Sequence, residues 1–137
     1  MKRVWKFLYW LPALGWAGLL FFISSGPVGP EIPSWVSEHD KLTHGIIYGV
    51  LSALIFFALY FGHGIKLGTA LVLAWLVAVA YGGSDELHQT FVPTRVGDWF
   101  DWLADIGGAT VAMLAVGLAC YSYRRMTPRT IPPITSD

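Results

Sequence analysis

The sequence has little charge, a single cysteine and no sustained alternation of apolar and polar residues. Only 13% of its 137 residues are charged and 55% are hydrophobic, whereas about a quarter of a soluble domain is charged. Cys120 has no second cysteine with which to form an intramolecular disulfide. The missing alternation argues against a transmembrane barrel. The composition therefore favours a small membrane protein made of helices, which satisfy their own backbone amides in lipid.

Four stretches are long and apolar enough to cross a hydrocarbon core of about 30 Å, which takes roughly 20 helical residues. They are Val4–Ile23, Leu42–Phe61, Ile65–Gly82 and Trp102–Tyr123, here called spans 1 to 4. Span 1 could be read as a cleavable secretory signal, but its apolar run exceeds the usual core of roughly 7–15 residues, so we expect it to be retained. The sequence predicts an all-α bundle of four transmembrane helices over residues 1–125 and a disordered cytoplasmic tail over 126–137.

The charged residues divide between the two ends of these spans. One end carries both termini and the Gly62–Gly64 turn, and its charged residues are Lys2, Arg3, Lys6, Lys66, Arg124, Arg125, Arg129 and Asp137. The other end holds Lys41, Arg95, Glu31, Glu38, Asp40, Asp85, Glu86, Asp98, Asp101 and Asp105. Because basic loops stay on the cytoplasmic side, we expect both termini to be cytoplasmic and the acidic end to face outward.

The first polar cluster at the acidic end lies at the start of span 2. Asp40, His44 and Tyr48 follow one another at intervals of four residues, so they share one helix face, and Lys41 precedes His44 by three residues. Asp40 also suits the position of a helix cap. Since a histidine one turn inside a membrane helix needs a partner, His44 and Tyr48 are candidate functional residues.

The second polar cluster lies at the end of span 3. If the helix continues past Gly82-Gly83, Asp85 aligns with His88 and Gln89, and Glu86 points elsewhere. The glycine pair is equally suited to end the helix and let a short new helix begin. Asp85 and His88 remain adjacent in both arrangements.

The third polar cluster begins span 4. Asp98, Asp101 and Asp105 form an acidic stripe at spacings of three and four residues. A carboxylate as deep as that of Asp105 must pair, become protonated or bind a cation, and Arg95 and Lys41 are the basic residues nearby. The acids at this end outnumber the bases and histidines. This excess of negative charge favours the binding of a cation.

In order along the chain, the three clusters resemble the VanZ-like family, which is named for a teicoplanin-resistance protein. The resemblance rests on Asp40-Lys41-x-x-His44-x-x-x-Tyr48, Asp85-Glu86-x-His88-Gln89-x-Phe91-Val92-Pro93-x-Arg95 and Asp101-x-x-x-Asp105-x-x-Gly108-Ala109. The chain departs from the family pattern at Thr94, where Gly is common, and at Asp105, where Asn is common. The resemblance implies a small bacterial plasma-membrane protein of helical-bundle type, associated in its namesake with reduced susceptibility to a glycopeptide antibiotic.

Three functions are consistent with these residues. The first is an outward-facing site in which Arg95 and Lys41 hold an anionic envelope or lipid-linked ligand. The second is an intramembrane hydrolase or transferase acting on a lipid-linked envelope substrate, with a metal ion or with acid and base groups alone. The third is a structural polar network in a membrane scaffold. Whether the protein is an enzyme stays open, since neither a His-Glu-x-x-His motif nor a nucleophile elbow occurs in the sequence.

The candidate residues follow from these alternatives. The candidates for catalysis are His44, Asp85, His88 and Asp101. The candidates for ligand binding are Lys41, Tyr48, Glu86, Gln89, Arg95 and Asp105. A divalent cation such as Zn²⁺, Mn²⁺ or Mg²⁺ would take its ligands from His44, Asp85, His88, Asp101 and Asp105. The expected partner is a membrane lipid or a lipid-linked envelope precursor. The chain could also form a homo-oligomer. Binding to nucleic acid is not expected, because the basic residues do not form a patch.

Overall fold

The computed structural model describes residues 5–26, 40–93 and 95–127, and these residues form helices and turns without strands. The helices are α1 (Trp5–Leu8), α2 (Leu11–Ser24), α3 (Asp40–Phe57), α4 (Leu67–Gln89) and α5 (Trp99–Met126), and a short π-helix, Ala58–Gly62, continues α3. Three segments are long and apolar enough to cross a membrane: Asp40–Gly62, Leu67–Gln89 and Trp99–Met126. Leu11–Ser24 is a shorter apolar helix. The expected all-helical architecture is confirmed in these residues, and three of the four predicted spans have the length and composition of membrane-spanning helices.

Some of the sequence-based predictions fall outside the described residues. They concern Glu31 and Glu38 at the acidic end, Lys2, Arg3, Arg129 and Asp137 at the basic end, Thr94, and the predicted disordered tail from residue 128 onward. The first residue of the predicted tail, Met126, is described, and it is the last residue of α5.

Span 1 is divided into two helices. α1 ends at Leu8, and α2 begins at Leu11 with Pro12 in its first turn. Within a continuous helix, the ring of a proline clashes with the carbonyl four residues earlier, which here belongs to Leu8, and the proline has no N–H to donate. The predicted run Val4–Ile23 therefore breaks, and the 14-residue helix α2 has a length of about 21 Å at ~1.5 Å per residue.

α3 and α4 form an antiparallel hairpin. Between them, Gly64 has a φ of +69°, a left-handed conformation that glycine adopts without a steric penalty. The indole of Trp10 donates a hydrogen bond of 2.9 Å to Nε2 of His63. This bond ties the start of α2 to the hairpin turn, which lies where the sequence predicts the Gly62–Gly64 joint.

The tightest helix contact joins α3 to α5. A Cβ atom added to Gly108 would overlap the backbone of Gly45, and one added to Gly49 would lie 3.1 Å from the carbonyl oxygen of Gly108. Small residues allow this approach where lipid supplies no hydrophobic drive between helices. The close contact brings the first turns of α3 and α5 together, and with them the polar residues that each helix carries.

The bundle has a basic end and an acidic end. Lys6, Lys66, Arg124 and Arg125 lie at the end that contains the hairpin turn, where Arg124 donates to the hydroxyl of Tyr60 at 3.0 Å. The last turn of α2, the first turns of α3 and α5 and the last turns of α4 meet at the other end. All three polar clusters of the sequence lie there.

Candidate functional site

α4 runs as one helix through Gly82-Gly83 to Gln89, so the alternative of a helix end at the glycine pair is not realised. The pair makes room for α5 instead. A Cβ atom on Gly82 would lie 2.7 Å from Oδ2 of Asp105, and one on Gly83 would lie 3.2 Å from the indole of Trp102. The polar residues that follow therefore project from one regular helix in different directions.

Asp85 is the centre of a buried hydrogen-bonded cluster between α2, α3 and α4. Ser24 donates to its Oδ1 at 2.5 Å, while Tyr48 and Gln89 donate to its Oδ2 at 3.1 Å and 3.3 Å. Asp85 is 7% exposed and Tyr48 1% exposed. Three donors replace much of the hydration that a carboxylate loses on burial. We call Ser24, Tyr48, Asp85 and Gln89 the Asp85 cluster.

Arg95 connects the Asp85 cluster to the end of α2. Its Nε and Nη2 atoms donate to the carbonyl oxygens of Gly26 and Ile23, each at 3.0 Å, and its Nη1 lies 3.5 Å from Oε1 of Gln89. A guanidinium group has five N–H donors. With partners counted within residues 5–26, 40–93 and 95–127, these contacts occupy three of them.

A cavity of about 190 Å³ lies between α2 and the Asp85 cluster. Its apolar lining consists of Trp16, Leu19, Leu20, Ile23 and Ile47. Its polar lining consists of Ser24, Thr43, His44, Tyr48, Asp85, Gln89 and Arg95. A concave site with a largely apolar wall and a few convergent polar groups is typical of ligand-binding cavities.

A second cluster, formed by His44, Glu86 and Asp105, lies between α3, α4 and α5. Nδ1 of His44 is 3.1 Å from Oδ1 of Asp105, and one nitrogen or oxygen atom from each of the three residues lies within 4.8 Å of the others. Glu86 points away from Asp85, as the spacing predicts. It points toward His44 and Asp105, which the sequence did not indicate.

Lys41 lies at the outer edge of this end, where it bridges two acids. Its ammonium group is 3.1 Å from Oδ2 of Asp98 and 2.8 Å from Oδ1 of Asp101. Asp98 also caps α5 by accepting a bond of 2.8 Å from the amide of Phe100. This backbone bond and the nearby Lys41 lower the pKa of Asp98 below its ordinary value. Two carboxylates thus neutralise Lys41, which favours Arg95 over Lys41 as the residue that would contact an anion.

His88 lies on the side of α4 that faces α2. Its Nε2 is 3.0 Å from Oγ of Ser25, and its ring lies 4.8 Å from that of Phe21, measured between centroids. The five residues predicted as cation ligands therefore do not form a single set. His44 is adjacent to Asp105, and in a separate group with Asp40 it is also near Asp101, which pairs with Lys41. Asp85 and His88 instead contact Ser24 and Ser25 at the end of α2.

Sequence reasoning missed the contribution of α2 to this end of the bundle. Ser24 and Ser25 stand at the boundary between an apolar run and a loop rich in Gly and Pro, and such serines are common at helix ends. No spacing within the first span indicates that their partners are Asp85 and His88, more than 60 residues later.

A family model described as VanZ/LLP1 matches residues 7–120 of the chain. The matched region includes α2, α3, α4 and most of α5, and with them every polar group of the acidic end described above. No curated protein and no solved structure matches the chain. The resemblance that the three sequence blocks carry is therefore confirmed at the level of the family.

Proposed function

The chain belongs to the VanZ/LLP1 family, and we propose that it is a membrane protein whose acidic end binds an anionic, lipid-linked ligand of the cell envelope. The observation that carries the proposal is the cavity of about 190 Å³ between α2 and the Asp85 cluster. Its lining is apolar on one side and polar on the other. An amphipathic ligand matches such a lining, with its headgroup among the polar side chains and its chain against α2.

Arg95 is the proposed anchor for the anionic group. Its guanidinium lines the cavity and is held by the carbonyl oxygens of Ile23 and Gly26. A fixed planar guanidinium suits a phosphate or carboxylate, because parallel N–H groups meet two oxygens at once and little side-chain entropy is lost on binding. The negative charge of Asp85 in the same cavity is partly offset by its bonds from Ser24 and Tyr48.

The apolar chain of the ligand would lie along α2. Leu19 and Ile23 line the cavity and are also 45% and 55% exposed on the outside of the bundle. In a membrane, these side chains face lipid. Leu19 and Ile23 would thus give a lipid-linked ligand an apolar route into the cavity from the side, with its headgroup near the membrane surface.

We further propose that the acidic end faces the extracytoplasmic side of a bacterial plasma membrane. The basic residues of the described chain, apart from Lys41 and Arg95, lie at the opposite end, and short basic loops remain in the cytoplasm. A site at the outer surface would be accessible to envelope precursors. Reduced susceptibility to teicoplanin is proposed for the chain because it belongs to the family that is named for a teicoplanin-resistance protein.

A pair of lipid probes tests the binding function. The purified full chain is titrated in detergent with a polyprenyl phosphate and with the matching uncharged polyprenol, and binding is followed by native mass spectrometry. Tighter binding of the phosphate is expected. Arg95→Gln should weaken it at least about tenfold, since a hydrogen bond to a charged group is worth roughly 1.5–3 kcal/mol. Arg124→Gln, at the opposite end, should leave it unchanged. Equal binding of the two probes by the wild type would refute the proposal. So would binding of the phosphate by Arg95→Gln that is as tight as binding by the wild type.

Hydrolysis or group transfer on the same class of ligand is a second candidate, favoured by one observation. The hydroxyl of Ser24 donates to Asp85 at 2.5 Å, and both side chains line the cavity. In such a reaction, Asp85 would accept the proton of Ser24 while Oγ of Ser24 attacks the phosphorus of the headgroup. The phosphorus–oxygen bond to the lipid would break, the lipid would leave as its alcohol with the proton held by Asp85, and water would then hydrolyse the phosphoserine and release phosphate. An enzyme releases a smaller headgroup product, detectable by mass spectrometry, and Ser24→Ala would stop product formation while binding persists. A binding protein releases no product.

A further inference from the structure

Two carboxylate oxygens are buried without a hydrogen-bond partner among the described residues: Oε1 of Glu86 and Oδ2 of Asp105. Asp105 is fully buried and Glu86 is 9% exposed. The other oxygen of each carboxylate has a partner. Oε2 of Glu86 accepts a hydrogen bond of 2.8 Å from the amide of Asp98, and Oδ1 of Asp105 lies 3.1 Å from Nδ1 of His44. A buried carboxylate oxygen without a partner is costly, so its position needs an explanation.

The nearby basic side chains do not supply that explanation. Lys41 is occupied by Asp98 and Asp101, and Arg95 points to the carbonyl oxygens at the end of α2. His44 remains as the neighbour. If it were protonated, its single positive charge would face two carboxylates. One negative charge would then stay uncompensated at a buried position, which is unfavourable in a medium of low dielectric constant.

From this arrangement we infer that His44, Glu86 and Asp105 bind one divalent transition-metal ion, of the class of Zn²⁺ or Mn²⁺. The three residues offer one nitrogen and two oxygen ligands within 4.8 Å of one another. Two ligands of a tetrahedral ion with bonds of about 2.0–2.1 Å lie about 3.3 Å apart, and Nδ1 of His44 is 3.1 Å from Oδ1 of Asp105. The charge also balances, because two carboxylates and a neutral imidazole make the site neutral with a divalent ion.

The type of ligand sets the class of metal. Mg²⁺ and Ca²⁺ take oxygen ligands and use several of them, whereas an imidazole beside carboxylates suits Zn²⁺ and Mn²⁺. Thiolate ligands that would favour Cu⁺ are missing, since the single cysteine, Cys120, lies near the basic end. Three protein ligands leave a coordination position open for water or for a ligand.

Gly82 shapes the wall of this site. A Cβ atom there would lie 2.7 Å from Oδ2 of Asp105, one of the two oxygens without a partner. A larger residue would require the side chain of Asp105 to shift from its present position. The glycine therefore allows α4 to approach α5 closely enough for Glu86 and Asp105 to face the same ion, which is how two helices build a metal site inside a bundle.

Metal analysis of the full chain tests the inference without any envelope ligand. The protein is purified in detergent with a histidine-free affinity tag, loaded with ZnCl₂ or MnCl₂, dialysed and measured by inductively coupled plasma mass spectrometry. We expect about one equivalent per chain, and an excess of Mg²⁺ or Ca²⁺ should not displace it. Loading should also raise the unfolding temperature, because an ion that binds only the folded state stabilises it.

Matched variants locate the ion. Glu86→Gln and Asp105→Asn keep the shape of each side chain, and each should weaken metal binding at least tenfold and abolish the rise in unfolding temperature. His44→Gln should do the same, whereas His88→Gln at the same end should retain the metal. Size-exclusion chromatography and circular dichroism of the metal-free proteins establish that each variant is folded.

Three results would overturn the inference. One is a loaded wild type that holds no metal after dialysis. Another is equal retention by wild type, Glu86→Gln and Asp105→Asn. The third is loss of metal in Asp40→Asn and Asp101→Asn but not in Glu86→Gln, which would place the ion in the neighbouring, more exposed group of Asp40, His44 and Asp101.

Discussion

The hydroxyl of Tyr48 on α3 donates to Oδ2 of Asp85 on α4 at 3.1 Å, and both side chains are buried. Ser24 on α2 donates to the other oxygen of the same carboxylate at 2.5 Å. One acid thus connects three helices at the acidic end. The proposed ligand cavity exists because α2 is held beside α3 and α4 at this point, so the stability of the bundle and the shape of the cavity depend on the same bonds.

Replacing Tyr48 with phenylalanine should destabilise the fold. The change keeps the ring but removes one donor to a buried carboxylate, and the expected loss in free energy of unfolding is about 1–3 kcal/mol. Chemical unfolding in detergent, followed by circular dichroism, measures it. Tyr123→Phe, at an exposed position, should change the free energy by less than about 0.5 kcal/mol. Equal effects of the two variants would mean that the Tyr48 bond contributes nothing.

The contact between α3 and α5 makes two adjacent glycines differ in their tolerance of alanine. At Gly108 a Cβ atom would overlap the backbone of Gly45, while at Gly107 nothing lies within 4 Å of it. Gly108→Ala should therefore cost about 3 kcal/mol or more, since rigid backbone cannot yield. Gly107→Ala should be neutral or stabilise slightly, because alanine favours helix. Unfolding temperatures of the pair provide the measurement, and similar values would contradict the packing described here.

Cysteine labelling tests the proposed orientation. In a background with Cys120→Ala, Thr90→Cys places a thiol at an exposed position of the acidic end, and Met126→Cys places one at an exposed position of the basic end. A membrane-impermeant maleimide added to intact cells should label the first variant alone and should label both after lysis. Labelling of Met126→Cys in intact cells would show that the basic end faces outward, opposite to the proposed orientation.

The proposed phenotype depends on Arg95. Expression of the wild-type chain in a susceptible bacterium should raise the inhibitory concentration of teicoplanin, and Arg95→Gln should remove the increase because the anionic headgroup loses its anchor. Arg124→Gln should retain the increase. Immunoblots of membrane fractions establish that the three proteins are present at equal levels. If Arg95→Gln protects the cells as well as the wild type does, the phenotype does not depend on anion binding in the cavity.

Hydropathy predicts where the long helices lie but not where they end. The apolar run Ile65–Gly82 indicates span 3, whereas α4 continues to Gln89. The last turns of α4 carry Asp85 and Glu86, whose carboxylates accept hydrogen bonds from other parts of the chain. A count of apolar residues cannot show such bonds. Span 1 shows the opposite effect. Its apolar composition suggests one helix, but Pro12 and its steric conflict with Leu8 divide it.

Helical spacing predicts which side chains share a face, but it does not identify their partners on other helices. It correctly separates Glu86 from Asp85. The neighbours of Glu86 depend on the close approach of α4 to α5 at Gly82, and those of Asp85 on the position of α2. Both follow from packing between helices far apart in the sequence, about which the periodicity of one helix carries no information.

Photo-crosslinking with a lipid-linked probe shows whether the cavity beside α2 holds the proposed ligand. The full chain in nanodiscs is irradiated with a polyprenyl phosphate that carries a diazirine on its first isoprene unit, and the adducts are located by mass spectrometry. We expect adducts on α2 between Trp16 and Ile23, beside the cavity, and we expect them to disappear when unlabelled polyprenyl phosphate competes. Adducts confined to the groove between α4 and α5 at Leu71, Val72 and Leu114, or adducts that resist competition, would contradict the proposed function.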